Sequence, residues 1–471
     1  MPVTHSRRPG KPPMLRRILD TALLPLLLVA CQSYEPKPLP TASDLTRTVP
    51  ALAKKTSTAP LPGTVAMQVI PEDGLDLAEA TLLAVTNNPD LRSARAAAGV
   101  AVAQLTAARL FADPQLALGD DHPTTKAPGL VDGIGIGLNY DFGSLIVRRP
   151  VIDAARAERE RARLALIWQE WLTASQARQL FVRTLALREQ AGIRALEVRL
   201  YEDQYSRLST ALGEGGVSSV AAAAALVSLR DSSRQLGELT RQAERAGRDL
   251  RLILGLAPEA PLDLRPLPAD LPLPLDEEGL RRAITTLPSR RPDLLGLAAG
   301  YAAQEANVRR AIVAQFPAVS IGIRRAKDTS GVETTGFSAT ITLPVFNRNR
   351  GEIAISRATR ERLYQEYQAR LDTATSETAA LAADSGLVGQ QLRAAIASLP
   401  PLEAIANAAR VAADRGDIDG FTYVGLETTA NAKRLEVAQL RQALLEQRIA
   451  LQTLLAGDPV ADQALVPMAT R

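Results

Sequence analysis

The sequence predicts a mainly α-helical fold joined to a membrane β-barrel. Three observations carry that prediction: one order of elements written twice, four short strands apolar on one face only, and helical stretches too long for a globular core. Composition narrows the remaining choices. One Cys, 30 Gly and an apolar fraction of 46% among 471 residues exclude a disulfide scaffold, a collagen and a wholly disordered chain. The two histidines, His5 and His122, have no Cys or His neighbour at ligand spacing, which excludes a metal site built from those residues. The net charge of +4 resides in residues 1–30, where Arg7, Arg8, Lys11, Arg16 and Arg17 face Asp20 alone. The remainder holds 50 basic (55 less 5) and 50 acidic (51 less 1) side chains, so no excess charge draws it to nucleic acid.

The duplication is read from recurring residues. Asn88-Pro89-Asp90-Leu91 returns as Arg291-Pro292-Asp293-Leu294, and Phe111 with Gly119 returns as Phe316 with Gly322. Ile152 to Ala157 returns as Ile353 to Ala358, and the turn at Gly216 returns at Gly416. Residues 74–257 and 277–459 are therefore read as two repeats, joined by a Pro-rich linker at 258–276 and followed by a tail at 460–471. Each repeat runs short helix, medium helix, two strands, very long helix, tight turn, final helix. The medium helices open on Pro89 and Pro292, at the position where a missing N–H costs nothing.

Strands are expected at about 114–119, 133–142, 317–324 and 336–345. In the second, Ile134, Ile136, Leu138, Tyr140 and Phe142 alternate with Gly135, Gly137, Asn139 and Asp141. In the fourth, Phe337, Ala339, Ile341, Leu343 and Val345 alternate with Ser338, Thr340, Thr342 and Pro344. The Gly-x-Gly-x-Gly at 133–137 lies inside the alternating run, unlike a dinucleotide loop, which ends a strand. One such strand alone would equally suit a half-buried soluble sheet. The two longer ones have membrane-barrel length, their partners are shorter, and the count of only four changes the argument. Lipid tolerates no open sheet edge and known barrels begin at about eight strands, so several copies of the chain must share one barrel.

The helices from Val151 to Ala211 and from Ile353 to Ala413 would each reach about 90 Å, with Pro400-Pro401 expected to interrupt the second. Beyond Gly216, Leu229, Leu236, Ala243 and Leu250 fall on one row of seven-residue steps, with Leu239, Ala246 and Ile253 beside it. Ala430, Val437, Leu444 and Leu451 form the matching row after Gly420. Sustained sevens call for coiled-coil packing, and the polar remainder suits a thin wall better than a filled core.

Ahead of the repeats, Arg16 and Arg17 precede a short apolar run ending at Cys31, which reads as a secretory signal over 1–30. Leu28-Val29-Ala30-Cys31 resembles the bacterial lipobox, which implies a covalent lipid on Cys31. Residues 31–73, rich in Pro, Ser, Thr and Ala, are read as an extended tether.

Taken in order, these motifs resemble the TolC family of outer-membrane efflux proteins over almost all of residues 75–459. The resemblance rests on the duplicated order and the paired Pro-Asp-Leu motifs. It rests also on the 343–351 segment ending Phe346-Asn347-Arg348-Asn349-Arg350-Gly351, and on the tips Gly216–Ser219 and Gly416–Asp419. It implies a homotrimer whose twelve-stranded barrel, four strands per chain, continues into an α-helical barrel. It also implies a passive outer-membrane duct served by a periplasmic adaptor and an inner-membrane pump of the resistance-nodulation-division type. A protein-secretion duct is the second reading, and a periplasmic structural coiled-coil lipoprotein the third. No nucleophile with a base, metal constellation or phosphate loop is legible, so neither enzyme nor non-covalent cofactor is expected. By resemblance the gate and adaptor contacts fall at the tips, at Glu214, Gly216, Ser218, Ser219, Gly416, Asp417 and Asp419. Glu214, Asp417 and Asp419 would form rings of like charge under threefold symmetry; alternatively, Ser218, Asp417 and Asp419 cap the helices that follow.

Overall fold

The computed structural model describes residues 34–53, 68–69, 74–125, 127–267 and 277–455. The leader, Cys31, much of the tether, the end of the linker from 268, the last residues of the second repeat from 456 and the tail lie outside the described residues. Residues 34–45 fall in a unit of their own and form no helix or strand.

Among the described residues, all helices and strands belong to the unit that begins at Thr46. A two-residue ladder joins β1 (Leu52–Ala53) to β2 (Gln68–Val69). Then come α1 (Leu77–Asn87), α2 (Pro89–Arg109), β3 (Gln115–Asp121), β4 (Gly133–Asp141), α3 (Gly143–Gly213) and α4 (Ser219–Ile253). The same order returns as α5 (Glu277–Thr285) with the one-turn α6 (Leu287–Arg290), α7 (Pro292–Val313), β5 (Val319–Lys327), β6 (Glu333–Ile341), α8 (Arg350–Arg415) and α9 (Gly420–Leu454).

Local chemistry sets the helix starts. The Asp76 carboxylate accepts from the Glu79 backbone at 2.7 Å while the Glu79 side chain accepts from the Asp76 backbone at 3.0 Å, a reciprocal capping box that opens α1. Asn88 caps α2 by accepting from the Leu91 N–H at 3.0 Å, and its amide donates to the Ile253 carbonyl at 3.2 Å, tying α2 to the end of α4. The matching Arg291 does different work. Its guanidinium is fully buried, lies 5.0 Å from the Trp168 ring centre and pairs with Asp293 at 2.7 Å. Asp293 also accepts from Arg370 of α8 at 2.7 Å. Burial alone would push the Asp293 carboxyl up, but its two arginine partners together hold it below the ordinary value.

The long helices are continuous. At 1.5 Å per residue the 71 residues of α3 reach about 105 Å. Contrary to the expected interruption, Pro400 and Pro401 lie inside α8. Both prolines are exposed, as are Ile396 and Ala397 four residues before them, so water can replace the lost backbone donors. Along α4 the buried residues Ala222, Ala225, Ser232, Ala243, Ala246, Leu250 and Ile253 follow alternating steps of three and four, with Leu229, Leu236 and Leu239 half-buried in the gaps. On α9 the row Ala430, Val437, Leu444 and Leu451 is buried throughout. Those are the seams where α4 packs on α3 and α9 on α8.

Where α1, the middle of α3, the end of α4 and the linker converge, Leu83, Phe181, Leu250, Leu254, Leu256 and Ala260 form the largest buried cluster. The linker through residue 267 is docked there: Leu75 donates to the Asp263 carbonyl at 3.0 Å, and Arg265 to the Leu75 carbonyl at 2.8 Å. Thr46 likewise donates to the Gly255 carbonyl at 3.1 Å. Gly255 has φ +72°, and a Cβ there would stand 2.6 Å from the Asn87 carbonyl oxygen, so no other residue fits.

Two outcomes follow for the folded unit. Replacing Gly255 by Ala combines backbone strain of about 1–2 kcal/mol with that clash, and thermal unfolding should register a loss larger than the strain alone. Asp293→Ala strands a buried guanidinium and should cost about 3–5 kcal/mol. Because the Asp293 pKa is depressed on folding, its contribution is complete above the unfolded value near 3.9 and disappears as pH falls through the lower folded value. The stability gap between wild type and the variant, measured against pH, should therefore be flat from neutrality to about pH 5 and close below about pH 4.

Candidate functional site

The four main strands form one antiparallel sheet in the order β3-β4-β5-β6. Register places Leu116 opposite Leu138, Leu138 opposite Ile323 and Ile323 opposite Phe337, so one apolar row crosses the whole sheet. These residues are exposed, as are Leu118, Ile134, Ile136 and Ile341 on the same face. A soluble sheet hides such a face.

The other face is small and polar. A Cβ on Gly322 would stand 2.0 Å from Asn139 Oδ1, and one on Gly135 would stand 3.2 Å from the Arg324 guanidinium, so the glycines make room for longer polar neighbours. Sequence periodicity found the alternation without giving this reason for the glycines.

The ends of the sheet differ as well. Phe111, Phe142, Phe316 and Phe346, four of the chain's seven phenylalanines, stand exposed at the four junctions between helix and strand. At the opposite end lie Asp120, Lys327 and the Arg325–Glu333 pair at 2.9 Å. His122 there lies 3.0 Å from Asp132 and 3.3 Å from Asp120; the hydrogen bond to Asp132, then the charge of Asp120, raises its pKa. Strands β3, β5 and β6 extend further towards these charges than expected, reaching Asp121, Lys327 and Glu333. In the other direction β6 ends at Ile341, and Leu343 and Val345 lie beyond it, because Pro344 has no N–H with which to continue a ladder. Among the described residues, β3 and β6 each have one unpaired edge.

The tips are built alike. Gly215 (φ +76°) ends α3 and Gly416 (φ +80°) ends α8. The following N–H groups reach back to Ala211 at 2.8 Å and Ala412 at 2.8 Å. Ser218 Oγ accepts from the Ala221 N–H at 3.2 Å and starts α4 at Ser219; Asp419 accepts from the Thr422 N–H at 2.9 Å and starts α9 at Gly420. Equivalent positions across both hairpins differ by 201 (419 less 218), so the left-handed partner of Gly416 is Gly215, and the pairing of Gly216 with Gly416 is off by one. That signal was present in the Gly215-Gly216 doublet and became legible only once the helix ends were known. The second cap is Asp419, so Asp417 is corrected from a capping residue to an exposed carboxylate on the turn. Glu214 sits at the C-cap of α3, also exposed. Hydrogen bonds from the Thr422 backbone and then its hydroxyl hold the Asp419 carboxyl below the usual range.

Both tips lie at one end of the helical unit, since α9 runs antiparallel to α3, with Arg183 binding Glu446 at 2.8 Å and Gln190 donating to Gln442 at 2.7 Å. Among the described residues no group of three or more His, Cys, Asp or Glu could hold a metal ion, and no helix is long and apolar enough to cross a membrane.

Comparison with known proteins agrees with this geometry. Residues 283–457 match the family described as outer membrane efflux protein. The chain is 29% identical over 258 residues to the pyoverdine export outer membrane protein OpmQ of Pseudomonas aeruginosa, a match covering 52% of each chain. It thus spans about half the length of that relative. The fold is similar to that of CusC, with a TM-score of 0.66 at 20% identity over 82% of this chain and 93% of the other. It is also similar to the CmeC outer membrane channel of Campylobacter jejuni, with a TM-score of 0.69 at 17% identity over 82% and 86%. Residues 283–457, the fold and the sheet's exposed apolar face thus agree in making the chain similar to outer membrane efflux proteins of the TolC type.

Proposed function

We propose that this protein is the passive outer-membrane duct of a tripartite exporter, a homotrimer of duplicated chains whose four-stranded sheets close a twelve-stranded barrel. The observation that carries the reading is the sheet, with an apolar face turned outward, a small polar face on the other side and two unpaired edges. In lipid each unpaired edge group costs several kcal/mol, and pairing β6 of one copy with β3 of the next removes that cost all round the ring. The phenylalanines at the helix junctions support an aromatic girdle at the periplasmic side of the apolar band, with the charged end of the sheet facing outside.

Through such a ring the coiled-coil hairpins continue as a periplasmic tunnel. An inner-membrane pump of the resistance-nodulation-division type drives drugs, metal cations or other solutes in through a periplasmic adaptor, which meets the tips. The export of pyoverdine by the relative OpmQ supports the efflux reading. A lipid on Cys31 anchors the chain to the outer membrane. No bond is made or broken in this mechanism. The protein's task is to hold a water-filled path open across lipid, and to narrow it at the tips where Glu214, Asp417 and Asp419 recur in each copy.

Reconstituted in planar bilayers, the purified protein should give discrete conductance steps with a preference for cations. Asp417→Asn combined with Asp419→Asn should move the cation-to-anion permeability ratio toward one. Since the Asp419 carboxyl is depressed, the wild-type preference should persist until the pH falls below about 4. Folded protein without conductance would contradict the duct, and unchanged selectivity in the double variant would contradict the gate.

A further inference from the structure

The two faces of the sheet carry their charges differently. On the apolar face Arg325 pairs with Glu333 at 2.9 Å. On the polar face the charged residues within the strands are Asp121, Asp141 and Arg324. Asp121 and Asp141 are the last residues of β3 and β4, whereas Arg324 stands inside the sheet, opposite Gly137 of β4 and Gly336 of β6. Neither carboxylate is within its reach. Asp141 lies four residues (141 less 137) along β4 from Gly137, and Asp121 pairs with Gly133, four residues (137 less 133) the other way. Four residues of strand span roughly 13 Å. Among the described residues Arg324 has no ion pair and no hydrogen bond, and it is exposed.

Its setting keeps the guanidinium bare. Gly137 and Gly336 put no side chain beside it. The guanidinium lies over Gly135, where a Cβ would stand 3.2 Å from Nη2 and 3.4 Å from Nε. Two residues along β5 the same face is filled instead, since Asn139 and Ser338 lean over Gly322. A planar guanidinium with an open fork is the side chain best shaped to take a carboxylate or a phosphate through two parallel hydrogen bonds.

We propose that Arg324 is an oxoanion-binding station on the inner wall of the barrel, which engages the carboxylate or phosphate groups of solutes passing through. The station rests on the duct proposed above and adds a class of cargo that the barrel recognises. In a closed barrel the polar face is the inner one, so Arg324 of every copy stands in the water-filled path. Asp121 is two strands across and four residues along, roughly 16 Å away, or about two Debye lengths at physiological salt. Its charge is therefore largely screened from an anion held at Arg324. The glycines fit the same role, because bare strand backbone lets a ligand approach closely, and a larger residue at 135, 137 or 336 would fill the way to the fork. Arg325, one residue on, faces the lipid side and already has its carboxylate.

The test uses the full-length, detergent-extracted protein in planar bilayers, with tripolyphosphate and citrate as probes. Each should lower the single-channel current as its concentration rises. Arg324→Gln should raise the half-effect concentration about tenfold, the loss expected for one charge-assisted hydrogen bond. Arg324→Lys, which keeps the charge without the fork, should fall between the two, and Arg325→Gln should behave as wild type. A rise for one probe alone identifies which of the two oxoanions is held. A second readout needs no variant: tripolyphosphate should slow modification of Arg324 by phenylglyoxal, followed by peptide mass spectrometry, and leave the rate at Arg325 unchanged. Half-effect concentrations unchanged in Arg324→Gln, an equal rise in Arg325→Gln, or no protection from phenylglyoxal overturns the station and leaves the duct standing. Wild-type protein that forms no channel overturns the duct, while the protection measurement still decides whether Arg324 binds oxoanions.

Discussion

Backbone hydrogen bonding in lipid is the constraint on which this architecture depends. The face of the sheet that carries Leu116, Leu138, Ile323 and Phe337 is apolar and turned outward, a favourable arrangement only where hydrocarbon replaces water. The same hydrocarbon offers no partner to the free edges of β3 and β6. Four strands cannot curl far enough to pair their own edges, so in the proposed duct closure passes from the chain to the assembly. The rest of the fold is consistent with that transfer. Helices of 71 and 66 residues have no filled core to enclose them, and they bury narrow heptad seams against one another.

The same logic explains why the halves look alike without being interchangeable. Each long hairpin buries one seam internally and offers further faces sideways. Where the sideways contact falls within the chain, the residues have become specific, as with Arg183 and Glu446, or the buried Arg291 against Trp168 and Asp293. Where it falls at the end of the chain, the equivalent residues stand exposed.

Much of this was legible in the residues. Alternation along β4, the first half of β5 and the second half of β6, and the seven-residue rows of α4 and α9, follow directly from strand and helix geometry, and the structure places those positions on the faces expected. Other features were not local enough to be read. Pro400 and Pro401 looked like an interruption because helix propensity ignores where the lost bonds fall; on an exposed face water can take them. Gly216 was preferred to Gly215 because either glycine can adopt a left-handed turn, and only the ends of the flanking helices decide between them. Asp417 and Asp419 are chemically the same cap, distinguished by where α9 begins. The role of Arg291 was invisible, since a Pro-Asp-Leu motif preceded by Asn or by Arg reads alike until Trp168 and Arg370 are seen beside it.

The central claim is that identical copies complete one barrel, and the mass of the intact assembly tests it most directly. Native mass spectrometry of the protein released from detergent should give a single species of three chains, whose twelve strands leave no edge unpaired. A stable species of one chain, with its apolar face and sheet edges unmatched, would contradict the account.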